Sequence, residues 1–398
     1  MPIRTLDDLA AADRAVGVRV DINSPLTDDG RLADDARLRA HVDTLAELLG
    51  DDARVAVLAH QGRPGGDDFA RLESHARRLD DLLDFPVSYC DATFSQDARD
   101  AVADLDGGEA VLLENTRFYS EEYMEFEPER AAETFLVDRL VPALDAYVND
   151  AFAAAHRSQP SLVGFPERLP AYAGRVMEEE LDVLGAIGDT PTPRTYVVGG
   201  AKVPNSVMVA EHALENGLAE DVLVTGVVAN VFLAAAGVDV GRESTAFIHD
   251  RGYENEIARA GDLLAEYSDR IHLPVDVAVE RDGERVELST DDLPPADDEG
   301  ILDIGSETVA AYADVLAETG TAVLNGPAGV FEDDRFADGT RGVFDAASAA
   351  EYSIVGGGDT AAALRKFGLS GFDHVSTGGG AALRMLTGED LVAVEALR

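Results

Sequence analysis

Short apolar runs alternate with longer amphipathic stretches along most of the 398 residues, and this alternation constrains the fold more than any other feature. Neighbouring parallel strands must be joined by a crossover, which is usually an α-helix. Ten such apolar runs are many for a single sheet. We therefore predict an α/β fold with two Rossmann-like, doubly wound parallel-sheet domains. The predicted strands are Val16–Ile22, Arg54–Ala59, Ala110–Leu113, Ala146–Asn149, Thr195–Val198, Val222–Thr225, Ile271–Val277, Thr321–Asn325, Tyr352–Val355 and His374–Ser376.

The boundary between the two domains is predicted from a change of pattern near the middle of the chain. Phe165–Tyr172 contains two prolines and is followed by the acidic, helical pattern of Ala173–Gly188. We expect a first domain over 1–172, a connector helix over 173–188 with a hinge near Ala173–Leu184, and a second domain over 189–398. The last residues are expected to pack back on the first domain. Other predicted helical stretches are Asp34–Leu49, Pro128–Leu140, Ser306–Glu318 and Ala361–Phe367.

Polar and glycine-rich segments follow most of the predicted strands. In open α/β sheets, ligands bind beyond the carboxyl ends of the strands. Each segment alone is a weak signal, but as a set they predict a binding site along that edge of each sheet. The segments are VDINSP, LAHQGRPGG, LLENTRF, VNDAFAAAHR, VVGGAK, TGVVANVF, LNGPAGVFE, VGGGDTAA and STGGGAA.

The charge balance is extremely acidic, with 77 Asp and Glu residues against 32 Lys and Arg residues and a formal net charge of −45. Such a surface repels nucleic acids and anionic membranes, so neither is expected as a partner. The regular apolar segments argue against an acidic disordered chain. In molar salt the Debye length falls to about 3 Å, which screens the self-repulsion. We therefore predict a protein adapted to high salt.

Lysine and cysteine are scarce. Lys202 and Lys366 are the only lysines, and Cys90 is the only cysteine, so the chain can form neither an internal disulfide nor a zinc site of several thiolates. The segment MPIRTLDDLAAADRA lacks the apolar region of a secretory signal, and the sequence has no run of about 18 apolar residues. We therefore expect a cytoplasmic protein. Lys366, in ALRKFG, is interpreted as a surface charge near a helix end.

Arginine and histidine gather in the strand-end segments of the first half. A guanidinium group can hold a phosphate or carboxylate through two hydrogen bonds, so a cluster of them suits a multiply charged anion. Each arginine alone can equally be a solvated surface residue. Asp21 and Asn23 follow the first strand, either as turn residues or as partners of a substrate hydroxyl. The basic residues are Arg37, His60, Arg63, Arg117, His156 and Arg157.

Glycine turns lead into helices in the second half, in VGGGDTAAAL and STGGGAALRML. Glycine lets the backbone approach a phosphate closely, and a helix N-terminus offers free N–H groups to it. Asp359, followed by Thr360, is either a helix N-cap or a ligand of nucleotide-bound Mg²⁺. Glu332 can accept hydrogen bonds from ribose hydroxyls, and Lys202 can place a positive charge on a phosphate in transfer.

Several common catalytic signatures are missing. The sequence contains no GxxxxGK[ST], no HExxH and no GxSxG, and no GxGxxG follows the first strand. The eight histidines show no metal-ligand spacing, and no Ser or Cys nucleophile with an adjacent base is evident. The chain is therefore not a P-loop enzyme.

Together, the segments VDINSP, DDARLRA, AHQGRP, LLENTRF, VNDAFAAAHR, GGAKV, NGPAGVFE, GGGDTA and STGGGA resemble the phosphoglycerate kinase family over essentially the whole chain and in the family's order. The resemblance implies a two-lobed enzyme that binds 3-phosphoglycerate in its N-terminal lobe and Mg–nucleotide in its C-terminal lobe. The implied reaction is reversible phosphoryl transfer between 1,3-bisphosphoglycerate and ADP, giving 3-phosphoglycerate and ATP, in glycolysis and gluconeogenesis. We expect Mg²⁺ as cofactor and a monomer.

The resemblance also assigns sites, position by position. The triose-phosphate site is expected at Asp21, Ile22, Asn23, Arg37, His60, Gln61, Gly62, Arg63, Arg117 and Arg157. The nucleotide site is expected at Lys202, Asn325, Glu332, Gly358, Asp359, Thr360 and Ala361, with Asp359 as the metal ligand. The expected catalytic contacts to the transferred phosphoryl group are Arg37, Lys202, Gly379 and Gly380, the last two within the glycine turn Gly378–Gly380.

The sequence departs from the bacterial and eukaryotic pattern of the family in three places. Ser206 stands where a second lysine is usual, Glu179 stands at a lysine position of the connector helix, and TGVVANVF replaces GGGMAF. These forms resemble the archaeal branch. Ser206 puts a phosphate contact at that position in doubt, so Lys202 and backbone amides are expected to carry more of the charge.

The implied reaction fits the absence of a catalytic dyad. The acceptor is a carboxylate with an ordinary pKa of about 4, so no general base is needed, and alignment and charge stabilisation remain. Two alternatives stay open: an acetate- or aspartate-kinase-like enzyme, and a catalytically silent nucleotide-binding regulator. The basic cluster of the first half favours a phosphorylated acceptor over acetate. The presence of Arg37, Lys202 and Asp359 favours an active enzyme.

Overall fold

The structure is a computed structural model, and it describes residues 3–27 and 30–398. The strands are β1 (Ala15–Arg19), β2 (Arg54–Leu58), β3 (Val87–Cys90), β4 (Ala110–Leu113), β5 (Ala146–Asn149), β6 (Ala171–Ala173), β7 (Arg194–Val198), β8 (Asp221–Val224), β9 (Ile271–His272), β10 (Asp276–Arg281), β11 (Glu284–Ser289), β12 (Ile301–Ile304), β13 (Thr321–Asn325), β14 (Tyr352–Gly356) and β15 (His374–Val375).

The α-helices lie mainly between the strands. They are α1 (Ala36–Ala40), α2 (Val42–Gly50), α3 (Glu73–Leu82), α4 (Gln96–Ala103), α5 (Pro128–Ala131), α6 (Phe135–Leu140), α7 (Pro160–Val163), α8 (Arg175–Gly185), α9 (Val203–Glu215), α10 (Gly226–Ala235), α11 (Arg242–Asp250), α12 (Glu254–Tyr267), α13 (Ser306–Leu316), α14 (Asp338–Ala347), α15 (Gly358–Phe367), α16 (Gly379–Leu386) and α17 (Val392–Glu395). Short 3₁₀ turns lie at Leu6–Asp8, Thr116–Phe118, Ser120–Tyr123, Val141–Ala143, Phe152–Ala154, Ile187–Asp189, Thr290–Asp292 and Asp334–Phe336.

The chain forms two compact units. Unit 1 extends to Asp182 and also contains Asp390–Arg398, and unit 2 is Val183–Glu389. The division falls within α8. In unit 1, the Ala393 N–H donates to the Ala155 carbonyl (3.0 Å), which ties the end of the chain to the loop after β5. The predicted boundaries at 172 and 188 remain predictions.

Unit 1 is built on a six-stranded sheet in the order β3-β4-β2-β1-β5-β6, and every pairing in it is parallel. All residues of β1, β4 and β5 are buried, which explains why these strands read as continuous apolar runs instead of alternating patterns. The strand order reverses between β1 and β5. This reversal opens a crevice at the carboxyl ends, where ligands bind in such sheets.

Unit 2 repeats the plan with the order β15-β14-β13-β7-β8-β9, again with parallel pairings only. Its strand order reverses between β7 and β13, so the loops after these two strands face each other. The fold class predicted from the sequence, two doubly wound parallel-sheet domains, is confirmed.

An additional antiparallel sheet in unit 2, with the order β11-β10-β12, was not predicted. β10 and β11 form a hairpin across Asp282 and Gly283, which both have positive φ angles. The single predicted strand Ile271–Val277 is wrong, because the chain breaks after β9 and only then enters β10. Pro274 lies in this break and has no N–H to continue a ladder.

Two predicted helices are also interrupted in the structure. Asp34–Leu49 forms α1 and α2, which meet at His41, where the backbone has φ −94° and ψ 0°. Pro128–Leu140 forms α5 and α6. The strands β3 and β6 were missed because VSYC and AYA are short and carry little apolar periodicity.

Candidate active site

The crevice of unit 1 is lined by the segments that follow β1, β2, β4 and β5. Asp21 lies just beyond β1, and one of its carboxylate oxygens accepts a hydrogen bond from Arg37. Its backbone N–H donates to Nε2 of His41 (3.0 Å). Nδ1 of His41 lies 2.6 Å from the carboxylate of Asp150, which also accepts from the Val176 N–H at the start of α8 (2.9 Å). The loop that carries Asp21 is therefore held from below by a buried chain of hydrogen bonds.

The charges around Asp21 favour its ionised form. Burial alone would raise the pKa of Asp21, but the positive charges of the nearby Arg37 and Arg19 lower it. The surroundings of His60 instead disfavour its charged form. Burial and the positive charge of Arg19 lower the pKa of His60 well below its usual range. Nδ1 of His60 lies 2.9 Å from Nη2 of Arg19, so a neutral ring accepts a hydrogen bond there. His60 is thus a neutral residue in a positively charged site.

Several guanidinium groups crowd this crevice. Burial, together with the charges of Arg157, Arg19 and Arg63, lowers the pKa of Arg117 to about 10. Burial also lowers the pKa of Arg157, and the positive charges of Arg63, Arg19 and Arg37 lower it further. Arginines that destabilise one another's charge gain free energy when an anion enters. The five arginines therefore form a site prepared for a multiply charged anion.

Gln61 is the structural centre of the crevice rather than an exposed contact. Its Nε2 donates to the Ser24 carbonyl (2.9 Å), while its Oε1 accepts from the Ser24 N–H (3.0 Å) and lies 3.0 Å from Nε2 of His75. Its backbone N–H donates to Oδ1 of Asn115 (3.2 Å). Because Gln61 is fully buried, it fixes the loops on either side of it.

The remaining predicted residues of this site take different positions. Oδ1 of Asn23 accepts from the Gly62 N–H (2.8 Å), and the Gly62 carbonyl accepts from Nη1 of Arg117 (2.7 Å). Ile22 is fully buried, and Arg63 is exposed. Asn23 and Gly62 thereby connect the loop after β1 to the arginine that follows β4.

Sequence reasoning missed four buried residues that support this site. Arg19, His41, His75 and Asp150 are all almost fully buried. Arg19 carried a detectable signal, because a charge inside the apolar strand VGVRV is unusual and calls for a partner. The roles of His41 and Asp150 depend on contacts between residues separated by 109 positions, and local sequence does not reveal such contacts.

Unit 2 presents a site made mostly of backbone. The Gly200 N–H donates to the Pro327 carbonyl (2.8 Å), and the Gly226 N–H donates to the Ala328 carbonyl (2.9 Å). A β-carbon at Gly199 would lie 2.2 Å from Oγ1 of Thr225, so the loops after β7, β8 and β13 approach too closely for any side chain there. Glycine is required at this position because of that packing.

Two helix N-termini meet at the open side of this site. A β-carbon at Gly379 would lie 3.5 Å from the amide nitrogen of Gly358, so α15 and α16 begin close together. Gly358, Gly379 and Gly380 bear no side chains that would shield their N–H groups, and the latter two are exposed. Free N–H groups at helix N-termini attract phosphate oxygens.

Lys202 and Asp359 form an ion pair with Nζ and Oδ2 separated by 2.9 Å. Both side chains are largely exposed, at 72% and 63% respectively. Asp359 is in the first turn of α15, and the N-cap of that helix is Gly357. The predicted lysine and the predicted metal ligand thus lie together in unit 2.

The loops of unit 2 are held by hydrogen bonds from the side chains of Thr360, Asn325 and Ser206. Oγ1 of Thr360 accepts from the Gly326 N–H (2.8 Å). The Ser206 hydroxyl donates to the Gly199 carbonyl (2.9 Å) and accepts from Nδ2 of Asn325 (3.3 Å). Ser206 is buried, so the side chain that replaces the usual lysine stabilises the loop after β7.

A partly open cavity of about 180 Å³ lies beside these loops, between α10, β12 and the loop after β13. Its walls include Val227, Val277, Ile304 and Phe331, and the acidic residues Glu332 and Asp359 also line it. An apolar slot of this kind suits the faces of a flat aromatic ring. Ala361, the fourth residue of α15, is only partly buried and does not line the slot.

Lys366 was interpreted from sequence as a surface charge, but the structure gives it a local role. Its ammonium group donates to the carbonyls of Phe331 (2.8 Å) and Glu332 (2.9 Å) and pairs with Asp334 (2.8 Å). The second lysine of the chain therefore holds the loop that carries one wall of the cavity.

A magnesium ion fits the donor set of unit 2. No cluster of three or more His, Cys, Asp or Glu residues suited to a metal occurs within residues 3–27 and 30–398. Mg²⁺ bound to a nucleotide needs only one or two protein carboxylates, because phosphates and water supply the other ligands. Asp359, exposed and next to the helix N-termini, provides one such carboxylate.

Comparisons with known proteins identify the family of the chain. A family model described as phosphoglycerate kinase matches residues 6–389. The chain is 79% identical to a phosphoglycerate kinase of Halobacterium salinarum and 67% identical to one of Natronomonas pharaonis, in both cases over 100% of either chain. It also resembles the crystal structure of the phosphoglycerate kinase of Pyrococcus horikoshii OT3, with a TM-score of 0.92, 41% identity, and coverage of 99% of this chain and 98% of that one.

None of the helices in the described part of the chain combines the length and the apolar character needed to cross a bilayer.

Proposed function

The chain belongs to the phosphoglycerate kinase family, and from this membership we propose how its two units divide the work of that enzyme. The reaction is reversible phosphoryl transfer between 1,3-bisphosphoglycerate and ADP, which gives 3-phosphoglycerate and ATP. Unit 1 binds the triose phosphate, and unit 2 binds the Mg–nucleotide. The functional domains are 1–172 and 189–398, with the helix between them as connector.

The arginine crevice of unit 1 carries the proposal for the triose phosphate. The observation that matters most is that Arg117, with its pKa lowered to about 10 by burial and by Arg157, Arg19 and Arg63, is held in unfavourable positive surroundings. A phosphate and a carboxylate relieve this repulsion. We assign phosphate and carboxylate binding to the crevice arginines, and the binding of the substrate hydroxyl to Asp21 and Asn23.

Arg37 has a separate role in this assignment. It pairs with Asp21 while its own side chain remains 43% exposed, so it can reach a substrate without leaving its anchor. Positive charge beside a transferring phosphoryl group stabilises the transition state. Arg37 is therefore the residue of unit 1 proposed to contact the phosphoryl group.

In unit 2 the nucleotide phosphates bind the N-termini of α15 and α16, and the base enters the apolar slot. Lys202 and the amides of Gly379 and Gly380 contact the phosphoryl group, and Asp359 holds Mg²⁺. Held by Asp359, Mg²⁺ would supply positive charge beside the phosphate oxygens during the transfer. Glu332, exposed at the edge of the slot, accepts hydrogen bonds from the ribose hydroxyls.

No residue is needed as a general base. The attacking carboxylate of 3-phosphoglycerate is already ionised at neutral pH, since carboxylic acids of this kind have a pKa of about 4. The residues above align the two reactants and stabilise charge, which is sufficient for phosphoryl transfer. We further propose that the protein acts as a cytoplasmic monomer.

The test is a coupled assay with 3-phosphoglycerate and Mg–ATP across a KCl series. The net charge of −45 and two anionic substrates make repulsion strong at low ionic strength. We expect activity and thermal stability to increase into the molar range, because the Debye length shrinks from about 10 Å at 0.1 M to about 3 Å at 1 M. Full activity and stability at about 0.1 M salt would contradict the salt adaptation, and activity with acetate in place of 3-phosphoglycerate would contradict the acceptor.

A further inference from the structure

A buried chain of hydrogen bonds behind the arginine crevice of unit 1 begins at Glu122. This residue lies in the 3₁₀ turn Ser120–Tyr123 and is almost fully buried. Its Oε1 accepts a hydrogen bond from the Ser161 N–H (2.7 Å), and its Oε2 accepts one from the Ser161 hydroxyl (2.7 Å). A buried carboxylate group is costly unless its oxygens accept hydrogen bonds, and here both oxygens accept from one residue. Glu122 therefore fixes both the position of the Ser161 hydroxyl and the direction of its proton.

The Ser161 hydroxyl in turn holds Arg19, the buried arginine at the end of β1. Nε of Arg19 donates to Oγ of Ser161 (2.9 Å), and Nη1 of Arg19 donates to the Val20 carbonyl. Because the hydroxyl proton is directed at Glu122, a lone pair of Oγ is free to accept from Arg19. Two of the three guanidinium nitrogens are held in this way, so the direction of the third, Nη2, is set as well.

The contact of Arg19 with His60 decides which ring nitrogen of the histidine carries the proton. Nη2 of Arg19 lies 2.9 Å from Nδ1 of His60. An arginine side chain has donors only, so Nδ1 must be the acceptor. Burial and the positive charge of Arg19 keep the ring neutral, and a neutral imidazole with a bare Nδ1 carries its proton on Nε2. His60 is therefore a neutral hydrogen-bond donor at Nε2.

We propose that Glu122 is a positioning residue of the triose-phosphate site, which acts through Ser161 and Arg19 to hold His60 as the tautomer protonated on Nε2. This inference rests on the proposed binding of the triose phosphate in unit 1. The phosphate and carboxylate groups of the substrate accept hydrogen bonds, so an Nε2–H group binds them and a bare Nε2 nitrogen repels them.

The surroundings of His60 give this tautomer its value. The charges of Asp21, Arg117 and Arg157 all act on the ring, which places it among the residues of the crevice. A neutral donor adds a hydrogen bond to the anion without adding a further positive charge to arginines that already repel one another. Loss of the chain from Glu122 would let the guanidinium group of Arg19 turn away, and His60 could then adopt either tautomer.

The test is nitrogen NMR of the full chain with labelled histidines, because the protonated and the bare ring nitrogen give well-separated signals. The signals of His60 are assigned by their loss in His60→Gln. At pH 7 and high KCl, the wild-type protein should show a protonated Nε2 and a bare Nδ1, and both signals should shift when 3-phosphoglycerate is added. A wild-type ring protonated on Nδ1 overturns the proposal without any variant of the chain.

Two variants interrupt the chain at different points. Glu122→Gln keeps the shape of the side chain but places an amide donor against the Ser161 hydroxyl, and Ser161→Ala removes that hydroxyl. In each variant we expect a mixture of both His60 tautomers and an increase of about tenfold in KM for 3-phosphoglycerate, with KM for Mg–ATP unchanged. An unchanged tautomer in either folded variant overturns the proposal, and an unchanged KM for 3-phosphoglycerate overturns the role of the tautomer in binding.

The matched control is Tyr147→Phe, which also removes a hydrogen bond to Ser161 but lies outside the chain. The Tyr147 hydroxyl donates to the Ser161 carbonyl (2.7 Å), so this variant should leave the His60 tautomer unchanged. The same mixture of tautomers in Tyr147→Phe would show a general loosening around Ser161 and would overturn the role of Glu122. If the wild-type His60 signals stay unchanged at saturating 3-phosphoglycerate, His60 does not contact the substrate, and the failure lies in the proposed assignment of unit 1.

Discussion

The two units use the same sheet plan to build opposite kinds of site. In unit 1, charged side chains converge on the crevice, and a buried network around Gln61 and His41 fixes their positions. In unit 2, backbone amides and an apolar slot form the site, with Lys202 as the cation beside the helix N-termini. Under the proposed assignment, unit 1 recognises its ligand mainly by charge, and unit 2 mainly by shape and by exposed N–H groups.

This difference bears on the salt environment of the protein. Exposed charges are strongly screened in molar salt, whereas buried charges and backbone hydrogen bonds are screened much less. Arg19 and Arg117 are almost fully buried, so their field survives salt that would screen a surface arginine. Concentrated salt therefore affects the buried arginines of unit 1 and the backbone hydrogen bonds of unit 2 less than it affects the exposed Lys202.

The largest effect is expected from Arg37→Ala, which removes the proposed phosphoryl contact of unit 1. Loss of one group that stabilises transition-state charge costs about 10²–10³ in kcat, or about 3–4 kcal/mol. Nucleotide affinity should not change, because Arg37 belongs to unit 1. Steady-state kinetics and equilibrium binding of ADP measure the two quantities.

The control for this variant is Arg39→Ala, two positions along α1. Arg39 pairs with Asp35 on the surface and is not placed in either site, so its loss should leave kcat within about twofold. Retained turnover in Arg37→Ala would remove the assignment, and so would an equal loss in both variants.

The next effect concerns acid, which should weaken unit 1 through His75. Burial lowers the pKa of His75 to about 4, so the unfolded chain binds more protons than the folded one between about pH 6.5 and pH 4. The contribution of the neutral His75 to the free energy of unfolding is fully present above pH 6.5. It decreases as the pH falls, by about 2 kcal/mol at pH 5. Asp303, in unit 2, makes stability depend on pH in the opposite direction. Burial raises the pKa of Asp303 to about 6, so its protonation in acid favours the folded state.

Denaturant unfolding at high KCl, at pH 7 and pH 5, measures this contribution. His75→Gln should lose about 1–2 kcal/mol less than the wild type between these two pH values. His249→Gln is the matched control, since His249 is 77% exposed and should leave the pH dependence unchanged. An identical pH dependence in His75→Gln and the wild type would show that the buried histidine does not contribute.

A smaller effect should follow from Arg117→Lys, which keeps the charge but loses the planar fork. A lysine cannot form two parallel hydrogen bonds to a phosphate or carboxylate, and it cannot also hold the Gly62 carbonyl. We expect KM for 3-phosphoglycerate to rise about tenfold, with little change in KM for Mg–ATP. Equal increases in both KM values would argue against recognition by charge geometry in unit 1.

The smallest effect is expected from Lys366→Met, which frees the carbonyls of Phe331 and Glu332. The loop that carries one wall of the slot should then be less well fixed, and KM for Mg–ATP should rise about threefold to fivefold. Arg365→Met, the neighbouring basic residue, is the control and should have no such effect. If the two variants behave alike, the lost charge rather than the loop contact accounts for the change.

Much of the architecture was predictable because both sheets are buried on both faces. Such strands appear as apolar runs, and the glycine and arginine segments mark where each strand ends. The antiparallel sheet was missed although the sequence contained a signal for it. Asp282–Gly283 is a preferred dipeptide for tight hairpins, but the alternation of strands and helices elsewhere favoured a different interpretation.

The buried residues that support the two sites were much less predictable than the residues at the strand ends. Residue types at strand ends indicate a chemistry, but the contact of His41 with Asp150 and that of Gln61 with His75 exist only in the folded chain. Lys366 shows the same limit, since its partners lie more than 30 positions earlier in the sequence. Local patterns predict which side chains are available, and tertiary packing decides which of them support others.

The ion pair between Lys202 and Asp359 means that the proposed nucleotide site supplies the counter-ion for its own lysine. In a salt-rich solution, an unpaired ammonium group would attract chloride, and a lone carboxylate would attract potassium, so an incoming nucleotide would have to displace both. Because the pair is exposed, opening it costs only about 0–1 kcal/mol. Under the proposed assignment, Mg–nucleotide would exchange one neutral arrangement for another, with Asp359 pairing with the metal ion and Lys202 with a phosphate, so that this exchange would itself release few salt ions.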